Sequence, residues 1–159
     1  MDIRDAERSE IELLTQLWYD GWQDAHANIL PEALKRIRTS ENFRERLGLL
    51  LSHTRVAGNI GEPLGFCIVK DDELYQLFVS KEARGTGLAA ALIADAENGI
   101  AANGFQTAWL ACAIGNDRAA RFYEKSGWHR ARTIVSHLET PEGEFDLEVW
   151  RYEKSLVDR

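Results

Sequence analysis

The stretch best suited to chemistry is the break Arg84-Gly85-Thr86-Gly87. It separates the apolar run Leu74 to Val79 from Leu88-Ala89-Ala90-Ala91-Leu92-Ile93-Ala94, a strong helix former. A strand, a glycine-rich turn and a helix start together make a place to hold an anion. First-turn amides have no internal partner, and the helix dipole adds positive potential. Gly85 and Gly87 remove side chains that would block a phosphate. Two glycines can simply make a tight turn, but their placement between a core strand and an alanine-rich helix favours phosphate binding. Leu88 stands where a P-loop needs Lys, so that motif fails. Gly85-Thr86-Gly87-Leu88-Ala89-Ala90 matches a dinucleotide fingerprint, which expects an acid about 20 residues further on. No Asp or Glu occurs between Glu97 and Asp117, which leaves the dinucleotide reading a minor alternative.

A second motif begins 27 residues after Ala89: Asn116-Asp117-Arg118-Ala119-Ala120-Arg121-Phe122-Tyr123-Glu124-Lys125-Ser126-Gly127-Trp128. The first motif has the form Arg/Gln-x-x-Gly-x-Gly/Ala, and the second resembles Asn-x-x-Ala-x-x-x-Tyr-Glu-Lys-x-Gly-Phe with Trp128 in the last place. As a pair at this spacing they resemble the acyl-CoA-binding signatures of the GNAT superfamily of N-acetyltransferases. The likeness is strongest from Glu73 to Trp128, whereas residues 9 to 52 carry no motif of the family. It implies a GNAT-like α/β domain, acetyl-CoA as co-substrate, and direct transfer to an amine without a covalent enzyme intermediate. It further implies that the backbone of Leu77, Phe78 and Val79 pairs with the pantetheine arm, as an added strand would. The amides of Arg84, Gly85, Thr86, Gly87, Leu88 and Ala89 would cradle the pyrophosphate. Asn116 would reach the cofactor while capping its helix.

Such a transfer needs a base for the amine and an acid for the departing thiolate. Tyr123 holds the matched family position, seven residues after Asn116 on the same helix face, and is the candidate acid. Glu73 opens the strand that carries Leu77 and Val79 and, at period two, should share their face. It could take the proton directly or through water, or be a solvated carboxylate after Asp71-Asp72. Tyr75 on the same strand could orient the acceptor. Trp18, Tyr19 and Trp22 lie at helical spacing and read first as core; Trp18 and Trp22 are also the candidate acceptor-contacting aromatics. Cys67 and Cys112 lie in apolar strand runs and read as reduced core residues in a cytoplasmic protein. No His or Cys spacing suggests a metal, and all four histidines read as structural or solvent-facing.

Charge is unevenly spread. Arg118, Arg121, Lys125, Arg130 and Arg132 follow the second motif, and Arg121 or Arg118 could meet the 3'-phosphate of the cofactor. Glu139, Glu142, Glu144, Asp146 and Glu148 gather near the C-terminus, and seven acids fall in residues 1 to 30. If these wall the acceptor site, a cationic amine is favoured; a solvated acidic surface gives the same counts.

The elements that position these residues follow from pattern. Ile3 can start a short strand. Helical spacing runs from Ser9 to about Asn28, with Ser9 and Glu12 resembling a capping box, then from Pro31, then from Asn42 to Leu51. Strands follow at Arg55 to Asn59, Leu64 to Lys70 and Glu73 to Ser80, the first two joined by the turn Asn59 to Pro63. A helix to about Asn103, a strand from Thr107 to Ile114, a helix from Asn116 to Ser126 and a hairpin from Trp128 to Lys154 complete the chain. The order predicts one domain over residues 1 to 159, a mixed, mostly antiparallel sheet with one parallel pair and helices on both faces. The length of 159 residues, 45% hydrophobic and 28% charged, suits one globular core. The formal charge of −7 opposes broad nucleic-acid binding. No apolar run suits a membrane span, and Met1-Asp2-Ile3-Arg4 lacks a signal core. The expected partners are acetyl-CoA and an amine acceptor, and nothing decides between monomer and homodimer. An idle acyl-CoA-binding or regulatory module is the alternative, and an acyltransferase acting on charged tRNA is a third reading that the net charge opposes.

Overall fold

The computed structural model describes residues 2–157. One sheet of seven strands runs through the molecule in the order β1-β2-β3-β4-β5-β7-β6. Its strands are β1 (Ile3–Asp5), β2 (Thr54–Asn59), β3 (Glu62–Lys70), β4 (Glu73–Val79), β5 (Thr107–Ala113), β6 (His129–Thr140) and β7 (Gly143–Ser155). The helices are α1 (Ile11–His26), α2 (Glu32–Ile37), α3 (Ser40–Leu50), α4 (Leu88–Ala102) and α5 (Asp117–Lys125). Only β4 and β5, joined by the α4 crossover, pair in parallel. The expected α/β class and the single parallel pair are thus found, with helices on both faces.

Side chains alternate across a sheet, so each face builds its own core. On one face α4 and α5 cover Cys67, Leu74, Leu88, Leu92, Ile100, Leu110 and Tyr152. On the other, α1 to α3 cover Val56, Phe66 and Ile68 with Trp18, Phe43 and Leu47. Leu14, Trp18 and Trp22 recur every four residues, which puts one stripe of α1 inward. Trp18 has no exposed surface. Its ring lies 4.9 Å from that of Phe43 and 5.9 Å from that of Phe66.

Local differences from the sequence reading have physical causes. Glu10, not Glu12, caps the entry to α1: its carboxylate accepts the Glu7 amide at 3.1 Å and both guanidinium arms of Arg4 at 2.8 Å. Glu12 pairs instead with Arg44 on α3. The β2–β3 turn is tighter than expected, because Gly61 adopts φ +86° and Glu62 and Pro63 already belong to β3. A bulge also interrupts β4: Val69 faces Leu74 while Ile68 faces Gln76, leaving Tyr75 unopposed. The extra residue reverses the alternation. Leu77 and Val79 join the α4 face with Leu74, and Tyr75 and Phe78 join the α1 face. The expectation that Glu73 shares the face of Leu77 and Val79 therefore fails. Glu73 precedes the bulge and alternates with Leu74, which puts it on the α1 face with Tyr75.

Candidate active site

The register of β4 with β5 consists of the single pair Glu73↔Trp109, supported by the Trp109 amide donating to the Asp72 carbonyl at 3.1 Å. Beyond that point the strands part, and β7 takes over the other edge of β5 from Thr107 to Ala113. The β5-facing edge of β4 from Leu77 to Val79 has no strand partner. A cavity of about 570 Å³ occupies the gap. Its walls include Tyr75, Trp22 and Leu138 from the α1 face and Leu88, Asn116 and Tyr123 from the α4 face, so the opening passes through the sheet.

At the α4 end, Gly85 (φ +79°) and Gly87 (φ +84°) are both left-handed. A Cβ on either would stand in open space, with no atom within 4 Å. Glycine is needed here for its backbone angle, and the space in front of the turn stays clear. The first amides of α4, at Leu88, Ala89 and Ala90, have no intrahelical acceptor and border that space. Asp24 on α1 is met by Arg84 at 2.9 Å, Arg118 at 3.4 Å and Lys81 at 3.6 Å. The Arg84 hydrogen bond first, then its other cations, hold the Asp24 carboxyl below its ordinary range. Three cations around one carboxylate leave this end positive.

Asn116 Oδ1 accepts the Ala119 amide at 3.3 Å and so caps α5, which presents Ala119, Phe122 and Tyr123 to the cavity. Tyr123 is half-buried, with its ring 6.1 Å from Tyr152 and 6.4 Å from Trp128. Burial, then the neighbouring Cys112, raises its phenol above the ordinary value, so the hydroxyl stays protonated. Burial likewise pushes the Cys112 and Cys67 thiols up to about 12, too high for a thiolate nucleophile at neutral pH.

Glu73 stands where the strands begin to part. Burial pushes its carboxyl up to about 7, with Lys70 and Arg151 opposing and Asp72 adding to the rise. It is the one carboxylate lining the cavity among the described residues. A group that titrates near neutrality, beside a cavity, has the property a general base needs.

Most residues singled out from sequence line this cavity: Trp22, Glu73, Tyr75, Leu77, Phe78, Val79, Arg84, Gly85, Gly87, Leu88, Ala89, Asn116 and Tyr123. Three do not. Trp18 lies wholly inside the α1 core, so it contacts no acceptor. Thr86 donates its amide to the Ala83 carbonyl at 3.3 Å and turns its hydroxyl onto the same oxygen, so its amide is not free for a phosphate. Arg121 is exposed on the outer side of α5, and Arg118, one turn earlier, borders the cavity instead. Arg130 and Arg132 are also elsewhere: Arg130 lies 3.6 Å over the Trp150 ring and Arg132 pairs with Glu153. The five acids of the β6–β7 hairpin are exposed, and Leu138, Leu147 and Val149 face inward in their place. Period-two alternation put these acids outside, so of the two readings the hairpin is the solvated acidic surface and not an acidic wall.

The sequence reading missed His26, Arg38 and Arg46, which also line the cavity. His26 Nδ1 lies 3.0 Å from the Trp22 carbonyl, and burial lowers the ring to about 4, so it is neutral at pH 7 and donates from Nδ1. Their signal was weak: single polar residues in or just after helices, with no motif.

The sequence profile of the acetyltransferase (GNAT) family matches residues 11–128. Comparison with curated proteins finds no match. Among solved structures, a GCN5-related N-acetyltransferase from Rhodopseudomonas palustris is similar at 20% identity and TM-score 0.74, covering 97% of this chain and 94% of that one. The PaiA N-acetyltransferase of Thermoplasma acidophilum, solved with coenzyme A, is similar at 19% identity and TM-score 0.72, covering 97% and 98%. YncA of Salmonella typhimurium, solved with its cofactor acetyl-CoA, is similar at 16% identity and TM-score 0.69, covering 100% and 95%. At such identities these likenesses speak for the fold. The profile match, which spans most of the chain and both glycine-turn and α5 motifs, shows that this protein belongs to the GNAT acetyltransferase family.

Proposed function

We propose that the protein is an acetyl-CoA-dependent N-acetyltransferase that acetylates a primary amine by direct attack. The observation that carries this reading is the opening between β4 and β5, with a positive glycine turn at one end and Glu73 and Tyr123 at its walls. The residues present fit acetyl-CoA. The free edge of β4 from Leu77 to Val79 suits the amides of the pantetheine arm. The α4 amides, Arg84 and Arg118 suit the pyrophosphate. Bound acetyl-CoA supplies an activated thioester carbonyl. Glu73, ionised in about half of the molecules at pH 7, accepts the proton of the incoming ammonium, directly or through water. Tyr123 holds a proton at its hydroxyl for the departing sulfur. The gap in the sheet aligns the two partners from opposite faces. With both thiols buried and protonated, no covalent enzyme intermediate is needed. Two reduced, buried cysteines suit a cytoplasmic setting. Among the described residues no helix is long and apolar enough to cross a membrane.

The test is thiol release from acetyl-CoA over a panel of amines, with acetyl-CoA binding measured alongside. Amine-dependent release is expected. Tight binding with no release on any acceptor would replace this reading with that of an idle acyl-CoA-binding module.

A further inference from the structure

The cavity has a second positive region, on the α1 face and away from the glycine turn. Arg38 is only 4% exposed. Its Nη1 donates to Asn42 Oδ1 at 2.9 Å and to the Glu139 carbonyl at 3.1 Å, both neutral oxygens. Arg46 lies 4.5 Å over the Trp18 ring, its Nη2 donates to the Tyr75 hydroxyl at 2.9 Å, and its Nη1 is buried without a partner. Among the described residues neither guanidinium forms an ion pair. Burial first, then the nearby Arg46 guanidinium, lowers Arg38 to about 10 while leaving it cationic at pH 7. The contrast with the glycine-turn end is direct: there Asp24 compensates Arg84, whereas nothing compensates these two. Among the described residues the only acid lining the cavity is Glu73, and neither arginine is among the groups that shift it. A buried charge without a counter-charge is costly, and a guanidinium fork matches carboxylate and phosphate oxygens.

We propose that Arg38 and Arg46 form an anion-binding subsite for the acceptor, so that the substrate is a small amine that also carries a carboxylate or phosphate. The inference rests on the acetyltransferase reading and deepens it by naming the acceptor's class. It replaces the cationic acceptor that the acidic segments suggested, since the hairpin acids face solvent and none of the acids of residues 1 to 30 is among the cavity's lining. Tyr75, bonded to Arg46 and two residues beyond Glu73 on β4, links the anion subsite to the candidate base. Trp22, Leu34 and Leu138 supply the apolar walls between.

Two measurements test it. In the first, protein saturated with coenzyme A, which fills the glycine-turn site, is titrated with acetate and separately with inorganic phosphate. The Trp18 indole NMR resonance is the readout. A saturable shift is expected for one of the two anions, and which one identifies the acceptor's charged group; the shift should be lost in Arg46→Met. In the second, thiol release is compared for an amino acid and its methyl ester, and for a phosphorylated amine and its dephosphorylated form. The form with the preferred anion should have kcat/KM on the order of 100-fold higher, mostly through KM. This arm needs no variant, so a misfolded Arg38→Met cannot obscure it, and acetyl-CoA affinity serves as the folding control for the arginine variants. Equal use of charged and neutral acceptors, or no saturable shift with either anion, overturns the subsite. A shift with no thiol release from any amine upholds the anion subsite and sinks the acetyl-transfer reading.

Discussion

Burial moves Glu73 and Tyr123 in the same direction, and in the proposed mechanism the two shifts serve two separate proton transfers, one from the ammonium and one to the sulfur. For Glu73, the proposed base, the rise to about 7 places its titration near neutrality. Activity should therefore climb with pH through about 7, since only the ionised form accepts a proton. In Glu73→Gln this acid limb should vanish from the kcat/KM profile and the rate at pH 8 should fall by on the order of 100-fold. Stability carries the opposite sign. A carboxyl whose folded value lies above its ordinary 4.5 contributes fully below that pH and loses the contribution as pH rises through about 7. Thermal melts should show Glu73→Gln matching the parent near pH 4 and exceeding it at pH 8. For Tyr123, the proposed acid, the raised phenol keeps a proton available for the departing sulfur. Tyr123→Phe should lose roughly 100-fold or more in kcat with little change in acetyl-CoA affinity. An unchanged kcat would remove Tyr123 from the mechanism.

Elements decide what those side chains can reach. Two devices matter most: the glycine turn that opens α4 and the asparagine that opens α5. Asn116 Oδ1 accepts the Ala119 amide, and Tyr123 lies on the helix so anchored. Asn116→Ala should cost about 1 kcal/mol of stability, a drop of about 2–4 °C in Tm for a chain of this size. It should also lower kcat, because the turn that holds Tyr123 loosens. A lowered Tm with unchanged kcat would limit Asn116 to its capping role. The bulge at Tyr75 is the third device. By adding one residue to β4 it sends Leu77 and Val79 to the α4 side while Tyr75 stays beside Arg46.

At the scale of the whole molecule, the sheet separates two cores and the cavity joins them through the opening between β4 and β5. Trp18 and Trp22 show the division. Trp18 is sealed among Phe43, Phe66 and Arg46, whereas Trp22, one turn on, reaches the cavity. Trp18→Ala should cost about 3–5 kcal/mol by denaturant unfolding. Trp22→Ala should shift the KM for the acceptor more than it shifts stability. Equal loss of stability in the two variants would contradict this placement.

The sequence by itself determined the strand and helix sequence, the parallel pair and the glycine-turn end of the candidate site, for a common physical reason. A glycine turn, an N-cap and an apolar run act over a few residues, and their chemistry is written in consecutive letters, as at Arg84 to Ala89 and Asn116 to Tyr123. Tertiary structure decided the rest. One inserted residue in β4 reversed the faces of everything after Tyr75, and pairing with β3 alone reveals that insertion. The five acids of the β6–β7 hairpin point outward because their neighbours Leu138, Leu147 and Val149 point in. Arg38 follows the end of α2 and Arg46 lies on α3; both carry no motif and are far from Glu73 in sequence. Their charge acquires meaning only where folding buries Arg38, half-buries Arg46 beside Tyr75 and, among the described residues, pairs neither with an acid, because the cost of a charge depends on the medium and partners around it.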